Sequence, residues 1–291
     1  QFYVFKNVYR HLADRAEFII DAGRMYPRRM PDELIERLSL FLCRQGTYFR
    51  ILGYEDYAHA TRLKKFFSRY EVLVSLWWSG CITLSCNTTR KKVHMNYGAG
   101  KELTIFSPHH RKWDLYLCLS DYIRDAMKFL THTEVIGYPK FDDWFSGDLN
   151  QESIIRLQSR LDKNKPTVLY LPTHSDLSSI DELAKELKHI AYQYNVLAKL
   201  HYYTTYDEPE RVKKMQYRNI LLFHDDTDLL PLLAVADVIL SDNSSAILDA
   251  ILADRPVVAT EFLSSRYLDS AHRKPKFFPY RPPSGALTYS Q

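Results

Sequence analysis

Cysteine is scarce: four in 291 residues, with no CxxC pair among them. That excludes a zinc ribbon and makes a disulfide framework an unsuitable reading at this length. Cys43, Cys81, Cys86 and Cys118 lie mostly inside apolar runs and read as reduced packing residues of a cytosolic protein. There is no HExxH and no carboxylate-rich cluster, so no tightly bound transition metal is expected. No apolar run reaches the roughly 18 residues that a membrane-spanning helix needs. The opening residues do not carry a signal-peptide pattern. No internal repeat or low-complexity tract is visible. The chain opens at Gln1 rather than Met, so it reads as a fragment that leaves room for an element upstream.

What is present is ordinary for a globular chain: 46% hydrophobic and 25% charged residues, which excludes wholesale disorder. The length favours two domains over one. A net charge of +4 and a pI near 8.7 suit an anionic partner without implying nucleic acid. Tyrosine is abundant, with 21 residues, and most should be core or half-buried. The segment Tyr267 to Tyr289, with Arg266 before it, mixes Arg273, Lys274, Lys276 and Arg281 with Phe277, Phe278 and Tyr280. It could touch anionic headgroups, although a surface extension packing back on the body is the stronger reading.

Periodicity separates two α/β halves. Expected strands in the first are Glu17–Asp21, Tyr48–Gly53, Glu71–Leu76, Lys92–Met95, Asp114–Leu119 and Glu134–Ile136, with helices at Pro31–Arg44 and Glu55–Tyr70. In the second they are Thr167–Leu171, Val196–Leu200, Ile220–Phe223, Asp237–Leu240 and Val257–Thr260. A helix there opens on Ser179 and Glu182 as a capping box and runs to Tyr194. Strands this apolar, alternating with helices, imply parallel sheets covered on both faces. The alternation pauses across Asp142–Lys165, which divides the chain into domains 1–145 and 146–291. Two doubly wound domains bind ligands at the carboxyl ends of their strands.

Four strand ends of the second half carry polar chemistry. Val238–Leu240 runs into Ser241, Asp242, Asn243, Ser244 and Ser245 before a helix, where hydroxyls and free first-turn amides would make a phosphate cradle without a glycine. Taken alone, DNSS is good capping chemistry on any helix. Lys199 and His201 end the next strand considered; Thr173, His174 and Ser175 end another; His224, Asp225, Asp226 and Asp228 end the fourth. Together they favour a polyanion site. In the first half, His109–Lys112 reads as a solvated basic loop.

The order LYLPTHS, AKLHYY and DDTDLLPLLAVADVILSDNSSAILDAILADRPVV resembles the CDP-glycerol glycerophosphotransferase family, which builds teichoic acids and related capsule polymers on a GT-B fold. VIGYPKFD, Val135 to Asp142, resembles the family's GYPR-x-D at the domain crossover. The resemblance is specific over Val135 to Val258. It implies transfer of a glycerol or ribitol phosphate from a CDP-linked donor to a polyol-phosphate, glycan or lipid-linked acceptor, at the inner face of the cytoplasmic membrane. By the resemblance His201 contacts a donor phosphate and counts among the catalytic residues. Ser244 and Ser245 hold the diphosphate, with Thr173, His174 and Lys199 on the same rim. Asp242 orients the loop, and Asp226 and Asp228 face the ribose. The family carries WHG in its first domain. Here Gly98 aligns with that glycine, Tyr97 stands in the histidine position and His94 lies three residues earlier, so His94 and Tyr97 are both candidates for the base. His94 reads equally well as a core histidine. Gly98 and Lys101 would serve the acceptor side. Magnesium is expected only loosely, on the donor diphosphate. A GT-B nucleotide-sugar glycosyltransferase, a UDP-sugar 2-epimerase and a nucleotide-binding module that has lost its base are the rival readings.

Overall fold

The computed structural model describes residues 2–12, 15–22, 32–53, 59–76, 91–98, 108–224, 227–242, 244–260 and 287–288. They form two compact units: the described residues up to Tyr97 and from 108 to Asp142 make the first, and Gly98 with those from Asp143 onward make the second.

In the first unit, β1 (Phe18–Asp21) pairs in parallel with β2 (Phe49–Leu52). A second parallel sheet has the order β3 (Val72–Ser75), β4 (Lys91–Met95), β5 (Leu115–Cys118), β6 (Thr133–Val135). The helices are α1 (Phe2–Leu12), α2 (Asp32–Arg44), α3 (Ala60–Phe67) and α4 (Asp121–Met127). α1 presents Val4, Phe5 and Val8 to Leu76 and Met95, a helical spacing of apolar side chains that fixes which face is covered. Its buried Asn7 donates from Nδ2 to the Pro139 carbonyl at 2.7 Å, so one turn of α1 is tied to the segment that closes the unit. Ser120 begins α4 by accepting the Ile123 amide.

The second unit is a six-stranded parallel sheet, ordered β12, β11, β10, β7, β8, β9. These strands are β7 (Thr167–Leu171), β8 (Asn195–Lys199), β9 (Ile220–Phe223), β10 (Val238–Ser241), β11 (Val257–Ala259) and β12 (Leu287–Thr288). Every residue of the central β7 is buried, as expected for a strand covered on both faces. Its helices are α5 (Gln151–Gln158), α6 (Ile180–Ile190), α7 (Tyr202–Asp207), α8 (Pro209–Met215), α9 (Leu229–Val235) and α10 (Ala246–Leu252). α6 buries Ile180, Leu183, Ala184 and Leu187, one stripe at i, i+3, i+4 and i+7, against Val196, Ala198 and Leu200. Truncating Leu183 or Leu187 to alanine removes about 2–5 kcal/mol by the usual cost of a core cavity.

Several expectations shift. α6 ends at Ile190, and no Ser179 side-chain cap opens it. The run 108–112 is a 3-10 helix that buries His110 completely rather than a solvated loop, although Arg111 and Lys112 remain exposed. β12, unforeseen because two residues carry no periodicity, adds to β11 through Val258 with Leu287 and Ala259 with Thr288. The rest of the basic segment after Glu261 lies outside the described residues, as do Cys81 and Cys86. Cys118 is a buried free thiol and Cys43 an exposed one.

Candidate active site

β7 is followed in the chain by β8 on one side of it, while β10 lies on the other side, so the strand order reverses between β7 and β10. Loops leaving a parallel sheet part at such a point and leave a crevice for ligands. In this protein the parted loops are laced together from below. Ser241 Oγ donates to the Leu171 carbonyl at 2.6 Å. Asp242, 1% exposed, accepts the Thr173 amide on Oδ1 at 2.7 Å, and on Oδ2 both the Ser179 amide at 3.0 Å and the Ser179 hydroxyl at 2.8 Å. Ser179 Oγ also shares a 2.6 Å hydrogen bond with the Tyr170 hydroxyl. Ser179 Oγ thus donates to the Asp242 carboxylate and meets the Tyr170 hydroxyl, and it makes no capping bond to α6. Burial pushes Asp242 up to about 6, against the pull of the Ser179 and Thr173 donors.

Above this lacing, neighbouring strand ends bring two histidines together. His174, from the turn after β7, stacks on His201, from the turn after β8, with ring centroids 4.3 Å apart and planes at 25°. Tyr203 lies against both rings, 4.8 Å from His174 and 5.6 Å from His201. His201 caps α7, its Nδ1 accepting the Tyr203 amide at 3.3 Å, which leaves Nε2 as the ring nitrogen not used by the cap. Lys199 donates from Nζ to the His224 carbonyl at 3.2 Å, tying the ends of β8 and β9.

The turn after β10 corrects one expectation. The first-turn amides of α10 are already engaged: Ala246 with Ser244 Oγ at 3.3 Å, Ile247 with the Ser244 carbonyl and Leu248 with the Ser245 carbonyl. A tight turn at Ser244, whose own amide reaches the Asp242 carbonyl at 2.7 Å, satisfies them locally. The Ser245 side chain makes no capping bond. What this loop can offer an anion is hydroxyl chemistry rather than a row of bare helix amides. Asp228 caps α9, with Oδ1 accepting the Leu230 amide at 3.2 Å. Asp226, Asn243 and Lys101 lie outside the described residues.

In the first unit, β4 carries His94 opposite Ser75 and Tyr116. His94 is 6% exposed and enclosed by the rings of His110, Trp113 and Tyr116 at 4.7, 5.1 and 4.8 Å. Its Nδ1 finds no hydrogen-bond partner among the described residues. Burial, reinforced by His110, lowers its pKa to about 3, so the ring is neutral. The burial and the three rings around it are those of a packing histidine, one of the two readings the sequence leaves open for His94. Tyr97, beyond the end of β4, is half-buried against Val4, Leu76 and Met95, and its carbonyl accepts the Tyr138 hydroxyl at 2.9 Å. At Gly98 a Cβ would meet nothing within 4 Å among the described residues. Among the described residues no helix is long and apolar enough to cross a membrane, and no group of three or more His, Cys, Asp or Glu is placed to hold a metal.

Sequence reasoning missed Ser179 and Tyr170, whose roles come from a contact spanning 63 residues to Asp242. It also missed Glu208 and Arg211, which sit on exposed-looking helical sequence. Only the pairing of β7 with β10 would have revealed the first pair.

Against known proteins, a teichoic acid poly(glycerol phosphate) polymerase of Bacillus spizizenii is 24% identical over 164 residues, 50% of this chain and 40% of that protein. The chain thus matches well under half the length of that relative. The solved structure of the wall teichoic acid polymerase TagF superposes with a TM-score of 0.63 at 15% identity, over 99% of this chain and 73% of that one. Anabaena HepE in complex with UDP and glucose gives 0.53 at 15% identity, over 88% and 75%. These likenesses establish the fold, which is GT-B. Residues 67–272 match the family described as CDP-Glycerol:Poly(glycerophosphate) glycerophosphotransferase, and the chain belongs to that family.

Proposed function

We propose that this protein transfers glycerol phosphate from CDP-glycerol to an acceptor hydroxyl during assembly of a cell-wall polymer. The acceptor oxygen forms a bond to the phosphorus of the glycerol phosphate, the bond from that phosphorus to the CMP oxygen breaks, and CMP departs with the electron pair. The observation that carries this reading is the His174–His201 stack on adjacent strand ends, beside the laced switch point, in a chain of this family. His201, through the Nε2 that the cap does not use, supplies a donor for a diphosphate oxygen, where charge accumulates as CMP leaves. Lys199 adds a positive charge at the same rim, and the hydroxyls of Thr173, Ser244 and Ser245 add neutral donors.

On the acceptor side we assign the proton-accepting role to Tyr97, acting as its phenolate, in preference to the enclosed His94. Tyr97→Phe is expected to lower turnover at least tenfold with CDP-glycerol affinity unchanged. His94→Gln is expected to act on stability before it acts on turnover. Steady-state kinetics beside a melting curve distinguishes the two. We also assign the chain to the inner face of the membrane; failure to sediment with phosphatidylglycerol vesicles would remove that part.

The test of the whole reading is a binding panel of CDP-glycerol, CDP-ribitol and UDP-glucose, read as ligand-dependent melting shifts. A shift with a CDP-polyol that His201→Ala abolishes is expected. Stabilisation by UDP-glucose alone, or full CDP-glycerol binding by His201→Ala, overturns it.

A further inference from the structure

The His174–His201 stack has an outside brace. Ser175, next to His174, has φ of 59°, a left-handed backbone that a side chain disfavours. Its own turn supplies one bond, from the Ser178 amide to the Ser175 carbonyl at 3.1 Å, and both of its peptide groups are held as well from another part of the chain. Its amide donates to Glu208 Oε1 at 2.8 Å, and its carbonyl accepts from Arg211 Nη1 at 2.7 Å. Arg211 Nη1 also reaches Glu208 Oε1 at 2.9 Å, and Nε and Nη2 both reach Asp181 Oδ2, at 2.9 and 2.7 Å. All three guanidinium nitrogens are engaged, a planar arrangement that an ammonium cannot reproduce. Glu208 Oε2 in turn accepts the hydroxyl of the fully buried Thr204 at 2.7 Å. The Arg211 and Glu208 side chains are each only 18% exposed, so water screens the brace weakly.

The connectivity makes this more than a surface ion pair. His201 is the residue that begins α7, and Glu208 is the residue that ends it. One short helix therefore carries His201 at one end and, at the other, the carboxylate that grips the peptide beside His174. The circuit runs from His201 along α7 to Glu208, across to Ser175, back one residue to His174, and closes on His201 through the ring stack.

We propose that Glu208 and Arg211 are positioning residues: by holding the Ser175 peptide in its left-handed conformation they set the separation of the His174 and His201 rings. The clamp itself is read from geometry; its relevance to donor binding rests on the functional reading above.

The test records ring-proton shifts of His174 and His201 in the free full-length protein, and CDP-glycerol affinity alongside. Arg211→Met is expected to shift both rings out of mutual stacking and to weaken CDP-glycerol binding tenfold or more. Arg211→Lys, which keeps the charge but loses the fork, is expected to behave the same way. Lys214→Met is expected to match the wild type in both readouts, because Lys214 contacts Asp181 and not Ser175. If Arg211→Met does not fold, Glu208→Gln, which keeps shape and drops charge, is expected to displace the rings alone. Unchanged ring shifts in Glu208→Gln and in whichever Arg211 variants fold would overturn the proposal. Displaced rings in a protein whose wild type binds no CDP-glycerol would leave the clamp standing and remove the functional reading.

Discussion

At the scale of single residues, Asp242 shows how a polar knot between a strand and a helix can be internal. Three donors point at one carboxylate that water hardly reaches. Because its folded-state pKa of about 6 lies above the ordinary carboxylate value, the folded protein holds a proton that the unfolded chain gives up between about pH 4 and 6. Stability from this group is therefore present at low pH and declines as pH rises through that window, a cost on the order of 3 kcal/mol at neutral pH. Asp242→Asn should flatten this contribution, seen as a loss of slope in the difference between wild-type and variant urea midpoints from pH 4 to 7. The amide must also turn its NH2 towards either Thr173 or Ser179, both of which offer N–H groups. One loop then loses its anchor, and CDP-glycerol affinity should fall several-fold. A variant with wild-type pH slope would show that the carboxylate is not the titrating group. The sequence identified Asp242 as a loop-orienting residue by resemblance, but its partners could not be read. Ser179 has the appearance of a helix cap until β7 and β10 are paired.

Secondary-structure elements were far more legible than their contacts. The expected strands of both halves appear within one or two residues, because β-branched and aromatic runs bounded by polar turns leave little choice of conformation. Helix ends were less so: the apolar pattern that suggested a helix through Tyr194 includes Ile190 and Tyr194, yet the hydrogen-bonded helix stops at Ile190. β4 illustrates the limit for side chains. Its pattern marks a strand but does not say that His94 faces inward onto His110, Trp113 and Tyr116. A consequence can be measured on this element. His94 stays neutral in the folded state down to about pH 3, whereas an unfolded histidine protonates near 6.5. The unfolded state thus takes up the extra proton below 6.5, so this contribution to stability is intact above that pH and lost as pH falls towards 3. Between pH 7 and pH 5 it amounts to about 2 kcal/mol. His94→Leu, which keeps an apolar body and cannot titrate, should lose less stability over that interval than the wild type. Equal losses would show that protonation elsewhere dominates acid unfolding.

For the whole molecule, family membership reaches further back than the motifs do. The matched residues begin at Phe67, whereas the quotable signatures begin at Val135. The intervening first-unit strands carry few distinctive side chains and so give a reader of one sequence little to recognise. The second unit, by contrast, displays its chemistry on consecutive strand ends. The ends of β10 and β7 are anchored to each other by Ser241 with Leu171 and Asp242 with Thr173, and those of β8 and β9 by Lys199 with His224. Hydrogen exchange provides a test at this scale, since protection follows local opening. Saturating CDP-glycerol should slow exchange together in the turns after β7, β8 and β10, while α2 and the β1–β2 pair, with no residue assigned to the donor, keep their free-state rates. Slowing confined to one of the three turns would contradict a shared anion site. Slowing spread evenly over both units would point instead to general stabilisation, with no ligand gripped at the rim.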